Sequence, residues 1–345
     1  MINIYDYNLN DFENYLAGLG LKPFRAKQIM KWLYEKRVDG FEKMSDISKD
    51  LQKKLAEDFD ISPLKVVDRQ ISKDGTQKFL FEMNDGSLVE SVLMVFDYGF
   101  SACLSSQVGC NMGCSFCASG LLKKQRDLSA GEIVLQALMI QKVLDESGDR
   151  LGNIVVMGTG EPFDNYDNVM KAMSIINSPY GMEIGARHIS ISTCGVVPGI
   201  ERFAKENLQY NLAISLHAPN DELRNRLMPI NKAYNLEKLF DALKTYSGLN
   251  NRRLTFEYLL LKGVNDSKKE ADEIKNLLSG LNAYINLIPY NEVKENEYET
   301  TSAENALRFY DMLKKNGVAV TLRQKKGDDI DAACGQLRAN HSIMK

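Results

Sequence analysis

The sequence predicts an α/β fold. A helical N-terminal segment and a small β-extension lead into parallel strands joined by helical crossovers, forming a barrel or a doubly wound sheet. Three observations predict it. Apolar residues recur at helical spacing up to about residue 62, hydrophobicity alternates with period two over residues 64–96, and beyond about Tyr98 short strand-like runs alternate with helical stretches. At 345 residues, 44% hydrophobic and 26% charged, the chain can bury a sizeable core, which excludes disorder and a collagen-like fibre. The expected domains are residues 1–62 (helical accessory domain), 63–97 (β-extension or linker) and 98–345 (strand–helix domain with a C-terminal cysteine loop).

In chain order, residues 5–19 are amphipathic and are broken by Gly18 and Gly20, and residues 24–34 again carry apolar side chains at helical spacing. The runs VVDRQI, QKFLFEM and SLVESVLMVF, separated by KDG and NDG turn signals, predict a β-meander. Then SACLSSQ, NIVVMG, RHISIST, YNLAISLH, LTFEYLLL, YINLIP and VAVTLR supply the strands of the larger domain. Ser129 with Glu132 makes a capping box that opens a long helix, to about Ser147. The Asn- and Glu-rich residues 291–299 predict a surface loop. In folds of this class active sites collect at the C-terminal edges of the strands.

Forty-three Lys and Arg against 46 Asp and Glu give a net charge of −3, which excludes a uniformly basic nucleic-acid binder but not a local basic face. Residues 21–37 hold six basic side chains (Lys22, Arg25, Lys27, Lys31, Lys36 and Arg37) against Glu35, a balance of +5 that suits either a solvated helix face or an RNA backbone. The start of the chain lacks the basic and apolar regions of a signal peptide, and no run of about 18 apolar residues could span a bilayer. A reducing cytoplasm, with no membrane partner, is the expected location.

Six cysteines, Cys103, Cys110, Cys114, Cys117, Cys194 and Cys334, are too few for a small disulfide scaffold, and four fall within fifteen residues. Cys110-x3-Cys114-x2-Cys117 follows the first strand of the larger domain. Three thiolates this close can hold three corners of a compact centre, but they cannot close a tetrahedral zinc site without a remote fourth ligand. An iron–sulfur cube tolerates an open corner. The spacing therefore predicts a [4Fe–4S] cluster, with structural zinc or a redox thiol as the alternatives.

CNMGCSFC resembles the radical S-adenosylmethionine (SAM) signature, and GTGEP, ending in Gly160, Glu161 and Pro162, follows the next strand, where that superfamily keeps its Gly-rich loop. The segments CLSSQVGCNMGCSFCASG, MGTGEPFDN, ISISTCGVVP, LAISLHAPNDELRNRLMPIN, RLTFEYLLLKGVNDS, INLIPYN and DIDAACGQL together resemble the RlmN/Cfr family of radical SAM RNA methyltransferases, from about residue 20 to the end. The wording is closer to RlmN, which methylates carbon 2 of adenine, than to Cfr, which methylates carbon 8. The resemblance implies an α/β fold with a partial (β/α)6-type radical SAM barrel, a [4Fe–4S] cluster on Cys110, Cys114 and Cys117, and two SAM molecules per turnover.

Carbons 2 and 8 of adenine are electron-poor amidine carbons that cannot attack the methyl of SAM, whereas a carbon radical can add to them. The methyl therefore needs a carrier, and a second thiol must release it. Cys103 and Cys334 are available. The resemblance assigns Cys334 as the nucleophile that takes the methyl from a first SAM. A radical from the second SAM abstracts hydrogen from the methylated sulfur, and the resulting methylene adds to the base. Cys103 attacks Cys334 sulfur and expels the product as a disulfide forms. By the same resemblance Glu90 is the proton acceptor, Gly160 and Glu161 hold the methionine amine, Ser192 lies near the methionine or ribose, Ser215, Leu216 and His217 run along the nucleoside, and Asn291 meets a polar edge. Cys194, where the family more often has Ser, reads as a packed thiol.

The implied partners are 23S ribosomal RNA at the peptidyl-transferase centre, for some members tRNA beside the anticodon, an electron donor such as flavodoxin or ferredoxin, and a thiol reductant; the chain is expected to act as a monomer. Basic residues Lys123-Lys124-Gln125-Arg126 and Arg323-Gln324-Lys325-Lys326 adjoin catalytic segments and suit phosphate contacts. The target adenine must leave its stack to reach the radical. Three competing readings are methylation at carbon 8, a radical SAM enzyme for a small molecule or peptide, and a zinc-bound nucleic-acid-binding protein; the last would leave GTGEP and ACGQL without roles.

Overall fold

The computed structural model describes residues 1–121, 123–293, 295–324, 326–327, 329–330 and 336–338. Cys334 lies outside them, as does Lys325 of the last basic segment. The N-terminal segment begins with a tight turn at Ile4–Asp6 rather than a continuous helix from Tyr5. The reason is local. Asn8 and Asp11 form a capping box that starts α1 (Leu9–Gly18) afresh. Gly20, at φ +70°, ends it with the Leu21 N–H returning to the Leu16 carbonyl at 2.9 Å. Helices α2 (Phe24–Tyr34) and α3 (Lys49–Asp58) follow.

The strands over residues 65–96 form an antiparallel meander: β1 (Lys65–Ile71), β2 (Gln77–Glu82) and β3 (Leu88–Phe96). It is not a separate sheet. β3 pairs antiparallel with β4 (Gly99–Cys103), setting Val92 opposite Cys103, so the meander continues the main sheet. From β4 the chain runs parallel through β5 (Leu151–Val156), β6 (Ile189–Thr193), β7 (Asn211–Ser215), β8 (Leu254–Leu260), β9 (Ala283–Pro289) and β10 (Val320–Leu322). Spatial order equals chain order across all ten strands, and among the described residues β1 and β10 do not meet.

Helices fill the crossovers: α4 (Ala130–Asp145) before β5, α5 (Tyr166–Asn177), α6 (Val197–Lys205), α7 (Asp221–Leu227), α8 (Leu236–Leu249), α9 (Lys268–Leu278) and α10 (Ala303–Lys315). The Ser129–Glu132 capping box opens α4 as expected. Strand alternation divides the faces. Phe256, Tyr258 and Leu260 of β8 enter the apolar core, while Thr255, Glu257 and Leu259 share the opposite face. The N-terminal helices join the same core, Phe12, Leu16, Ile29 and Leu33 belonging to one cluster with Ile133, Ala137 and Ile140 of α4. Gly131 fits against them because its N–H donates to Asp6 Oδ1 at 2.6 Å, and a Cβ there would meet the Asp6 nitrogen at 2.7 Å.

After β10 the chain returns to the far end of the open sheet. Arg323 reaches Met94 Sδ at 3.1 Å, and Lys326 lies over the Phe96 ring. The Gly327 N–H donates to Asp74, Asp329 accepts from Ser72 and the Lys73 N–H, and the Arg338 N–H donates to Glu90 Oε1 at 2.6 Å. The meander is therefore the surface on which the C-terminal segment docks.

Candidate active site at the carboxyl ends of the parallel strands

A cavity of about 360 Å³ opens where β4 to β9 end. Cys103, Cys110, Cys114, Cys117, Gly160, Glu161, Ser192, Ser215, His217 and Asn291, scattered over nearly 190 residues of chain, all line it. The cysteine loop is tied at its base by pairing of Gln107–Val108 with Arg126–Asp127, and in its middle by the Ser115 N–H donating to the Leu227 carbonyl at 2.9 Å. Residues 291–299 do not simply lie at the surface, since Tyr290 Oη donates to the Phe116 carbonyl at 3.1 Å and Tyr298 Oη meets Ser115 Oγ at 2.9 Å. They brace the loop from the β9 side.

Burial pushes the Cys110 thiol up to about 11 and Cys114 higher still, and the neighbouring thiols add repulsion once ionised. Three mutually repelling thiolates in a partly buried cradle need compensating positive charge. That donor set fits an iron–sulfur cluster, since metal binding displaces the thiol protons.

Tight packing of GTGEP sets the opposite wall. Gly160 has φ +112°, and a Cβ there would stand 2.6 Å from Ser106 Oγ; at Gly158 a Cβ would stand 2.7 Å from Ser105 Oγ. Both positions need glycine for the loop to sit against the segment that leads to Cys110. Glu161 is 3% exposed, and its two oxygens accept from the Phe163 N–H (3.0 Å) and the Cys194 N–H (2.8 Å). Burial raises its carboxyl despite those donors. A carboxylate so fixed keeps lone pairs for an ammonium group, the chemistry an amino-acid ligand would bring. Cys194 is a packed thiol in an apolar cluster with Phe116 and Leu227, and its backbone amide aims Glu161.

Ser192 Oγ and Ser215 Oγ stand 3.5 Å apart on neighbouring strands. His217 has φ +53° and is 7% exposed, with Nδ1 accepting the Leu259 N–H at 3.0 Å. That bond puts the ring proton on Nε2, and burial with nearby Arg224 pulls the imidazole down to about 3, so it is neutral. The Leu216 side chain is not on the cavity wall: alternation along the strand turns it into the core, and its N–H donates to the Glu257 carbonyl at 3.0 Å. Nor does Glu90 touch the cavity. It faces inward, not solvent, because β3 is part of the main sheet, and it forms a buried ion pair with Lys78 at 2.9 Å.

Three residues at the site carried no signal in the sequence. Arg224, fully buried, donates to the carbonyls of Cys194 (2.7 Å), Ser215 and Leu216, locking three site segments together. Gln107 accepts the Glu161 N–H at 2.9 Å. Glu257 lines the cavity, 7% exposed. Each sits at a position that only the folded arrangement of the strands and α7 reveals. Of the expected phosphate ligands, Lys124 is paired with Asp127 and Asp164, and Arg126 with Asp85 and Glu132, so neither offers a free charge. Lys22 and Lys27 remain exposed on the N-terminal helices.

Residues 2–61 match the ribosomal RNA large subunit methyltransferase N-terminal domain, and residues 104–278 the radical SAM superfamily. The chain is 53% identical over 343 residues to a probable dual-specificity RNA methyltransferase RlmN of Streptococcus thermophilus, covering 98% of this chain and 88% of that one. It is 52% identical to the corresponding protein of Spiroplasma citri over the full length of both. The crystal structure of a radical SAM methyltransferase from Sphaerobacter thermophilus superposes with a TM-score of 0.93 at 42% identity, covering 97% of this chain and 99% of that one. The alternating strands and the three-cysteine loop, read with these full-length matches, place the chain in the RlmN family of radical SAM RNA methyltransferases, which use a [4Fe–4S] cluster and SAM.

Proposed function

We propose that the chain methylates carbon 2 of an adenine in RNA, with Cys334 as methyl carrier and Cys103 as the thiol that releases the product. The substrates in this reading are the adenosine at the peptidyl-transferase centre of 23S rRNA and the adenosine beside the tRNA anticodon, and the setting is the cytoplasm. One observation supports it above the rest. Cys103 lines the same cavity as the three cluster cysteines, and Arg338, four residues beyond Cys334, is tied to Glu90 on the strand beside Cys103.

Bound there, the cluster and SAM supply a one-electron cleavage whose product radical can take a hydrogen atom. Cys110, Cys114 and Cys117 hold the cluster, and Glu161 with the Gly160 backbone receives the methionine amine. Ser192, Ser215, the Leu216 backbone, neutral His217 and Asn291 line the nucleoside. The Cys334 sulfur carries the methyl group from which hydrogen is taken, and its carbon joins carbon 2 of the base. Glu90, on the strand beside Cys103, is in this reading the acceptor of the proton from that carbon once the base has entered, and the odd electron left by the addition would return to the cluster. Cys103, as its thiolate, then attacks the Cys334 sulfur; the bond from that sulfur to the new carbon breaks as the disulfide forms, and the carbon takes up a proton to become the methyl group. A cellular thiol reductant restores both thiols, and a flavodoxin or ferredoxin supplies the electron.

Two variants test the carrier scheme. Cys334→Ala should bind the cluster and transfer no methyl group. Cys103→Ala should accumulate a covalent protein–RNA adduct, seen as a nuclease-sensitive shift in a denaturing gel. Free methylated RNA formed at the normal rate by Cys103→Ala would contradict it.

A further inference from the structure

Inside the barrel, four polar residues stand in register on adjacent strands. Ser215 of β7 pairs with Glu257 of β8, Glu257 with Asn286 of β9, and Asn286 with Thr321 of β10. Three of them are bonded in series: Thr321 Oγ1 donates to Asn286 Oδ1 at 3.0 Å, and Asn286 Nδ2 donates to Glu257 Oε2 at 2.9 Å. Glu257 Oε1 has no partner among the described residues, although the side chain is buried and lines the cavity. That oxygen opens on the cavity the residue lines, where it is available to a ligand.

The next inward-facing residues toward the cavity mouth are Leu259 and Ile288, which are register partners and also line the cavity. An apolar shelf directly above a polar row suits a planar heterocycle, with its face on the shelf and its edge on the row. A sugar, polar on both faces, would leave the shelf unused. We propose that Glu257 is the specificity residue for an adenine ring in this cavity, its carboxyl group donating to a ring nitrogen and accepting from the adjacent exocyclic amine. Burial raises the Glu257 carboxyl, against the Asn286 hydrogen bond and the nearby Arg323 charge, both of which lower it. The same adenine chemistry has two sources here, the nucleoside of SAM and the target base of the RNA. The assignment rests on the family chemistry but not on which carbon is methylated, so binding is measured and not turnover.

The full chain, reconstituted with cluster, is titrated with SAM by equilibrium dialysis and with a short RNA hairpin carrying the target adenosine by fluorescence anisotropy. Glu257→Ala should weaken one of the two by about tenfold, the scale of a lost buried hydrogen-bond pair. Weakened SAM binding identifies the cofactor as the source, and weakened hairpin binding identifies the RNA base. Glu257→Gln, which keeps a neutral donor and acceptor, should stay within about threefold of the wild type. If Glu257→Ala does not fold, the wild type is tested with S-inosylmethionine and with an inosine-substituted hairpin, whose edges reverse the donor and acceptor; one of them should bind about tenfold more weakly. Unchanged affinity for both ligands in folded Glu257→Ala, equal binding of both inosine analogues, or a Gln variant as weak as the Ala variant would overturn the assignment.

Discussion

The Arg338 backbone N–H donates to Glu90 Oε1 at 2.6 Å, while Lys78 Nζ holds Glu90 Oε2 at 2.9 Å. One buried carboxylate thus joins the C-terminal segment to the strand beside Cys103, and a buried lysine balances its charge. Removing that lysine takes away the ammonium group bonded to the buried carboxylate. Lys78→Met is expected to cost about 3 to 5 kcal/mol in a urea titration. The double variant Lys78→Met, Glu90→Gln should recover most of that loss, because no unpaired charge remains. A double variant no more stable than Lys78→Met would show that the ion pair is not the source of the loss.

Gly160 cannot accept a side chain where the loop meets Ser106 and Gln107. Gly160→Ala should weaken SAM binding by about tenfold or more, while the iron–sulfur absorbance of the reconstituted protein is unchanged. Normal SAM affinity in dialysis would mean that the loop relaxes without moving Glu161.

His217 titrates at about 3 in the folded protein against an ordinary value of 6.5. Between those values the unfolded chain binds a proton that the folded chain does not, so this residue subtracts stability as the pH falls from 6.5 toward 3. Asn tolerates the left-handed backbone at this position and has no such proton to refuse. Stability curves for the wild type and His217→Asn should therefore converge as the pH is lowered from 7 to 4. Parallel curves would place the imidazole in contact with water.

Much of this site was legible in the chain itself. The three-cysteine loop and GTGEP follow strand ends that are visible in hydrophobic runs, whereas Ser192, Ser215 and His217 entered the site through the family resemblance. Glu90 shows the limit. Alternation with apolar neighbours suits a solvent-facing residue, and only the β3–β4 pairing turns that face toward the barrel interior. Glu257 and Arg224 were hidden for the same reason: an acid within LTFEYLLL and an arginine within a charged helix acquire meaning from which strand stands beside them. Leu216, placed along the nucleoside by the resemblance, has its side chain in the core, so its backbone is the part that faces the site.

The cysteine loop makes a direct chemical forecast. After anaerobic reconstitution with iron and sulfide, the wild type should hold about four irons per chain, and Cys114→Ala should lose the cluster absorbance together with 5′-deoxyadenosine formation. Colourless protein with tightly held zinc would contradict the iron–sulfur assignment.

The regiochemistry of the transferred methyl group tests the central claim most directly. RNA carrying the target adenosine is incubated with reconstituted enzyme, SAM and a reductant, then digested to nucleosides and examined by mass spectrometry against synthetic standards. The account predicts 2-methyladenosine, formed by the wild type and absent with Cys334→Ala. Recovery of 8-methyladenosine, or of unmodified adenosine from an enzyme that still produces 5′-deoxyadenosine, would contradict it.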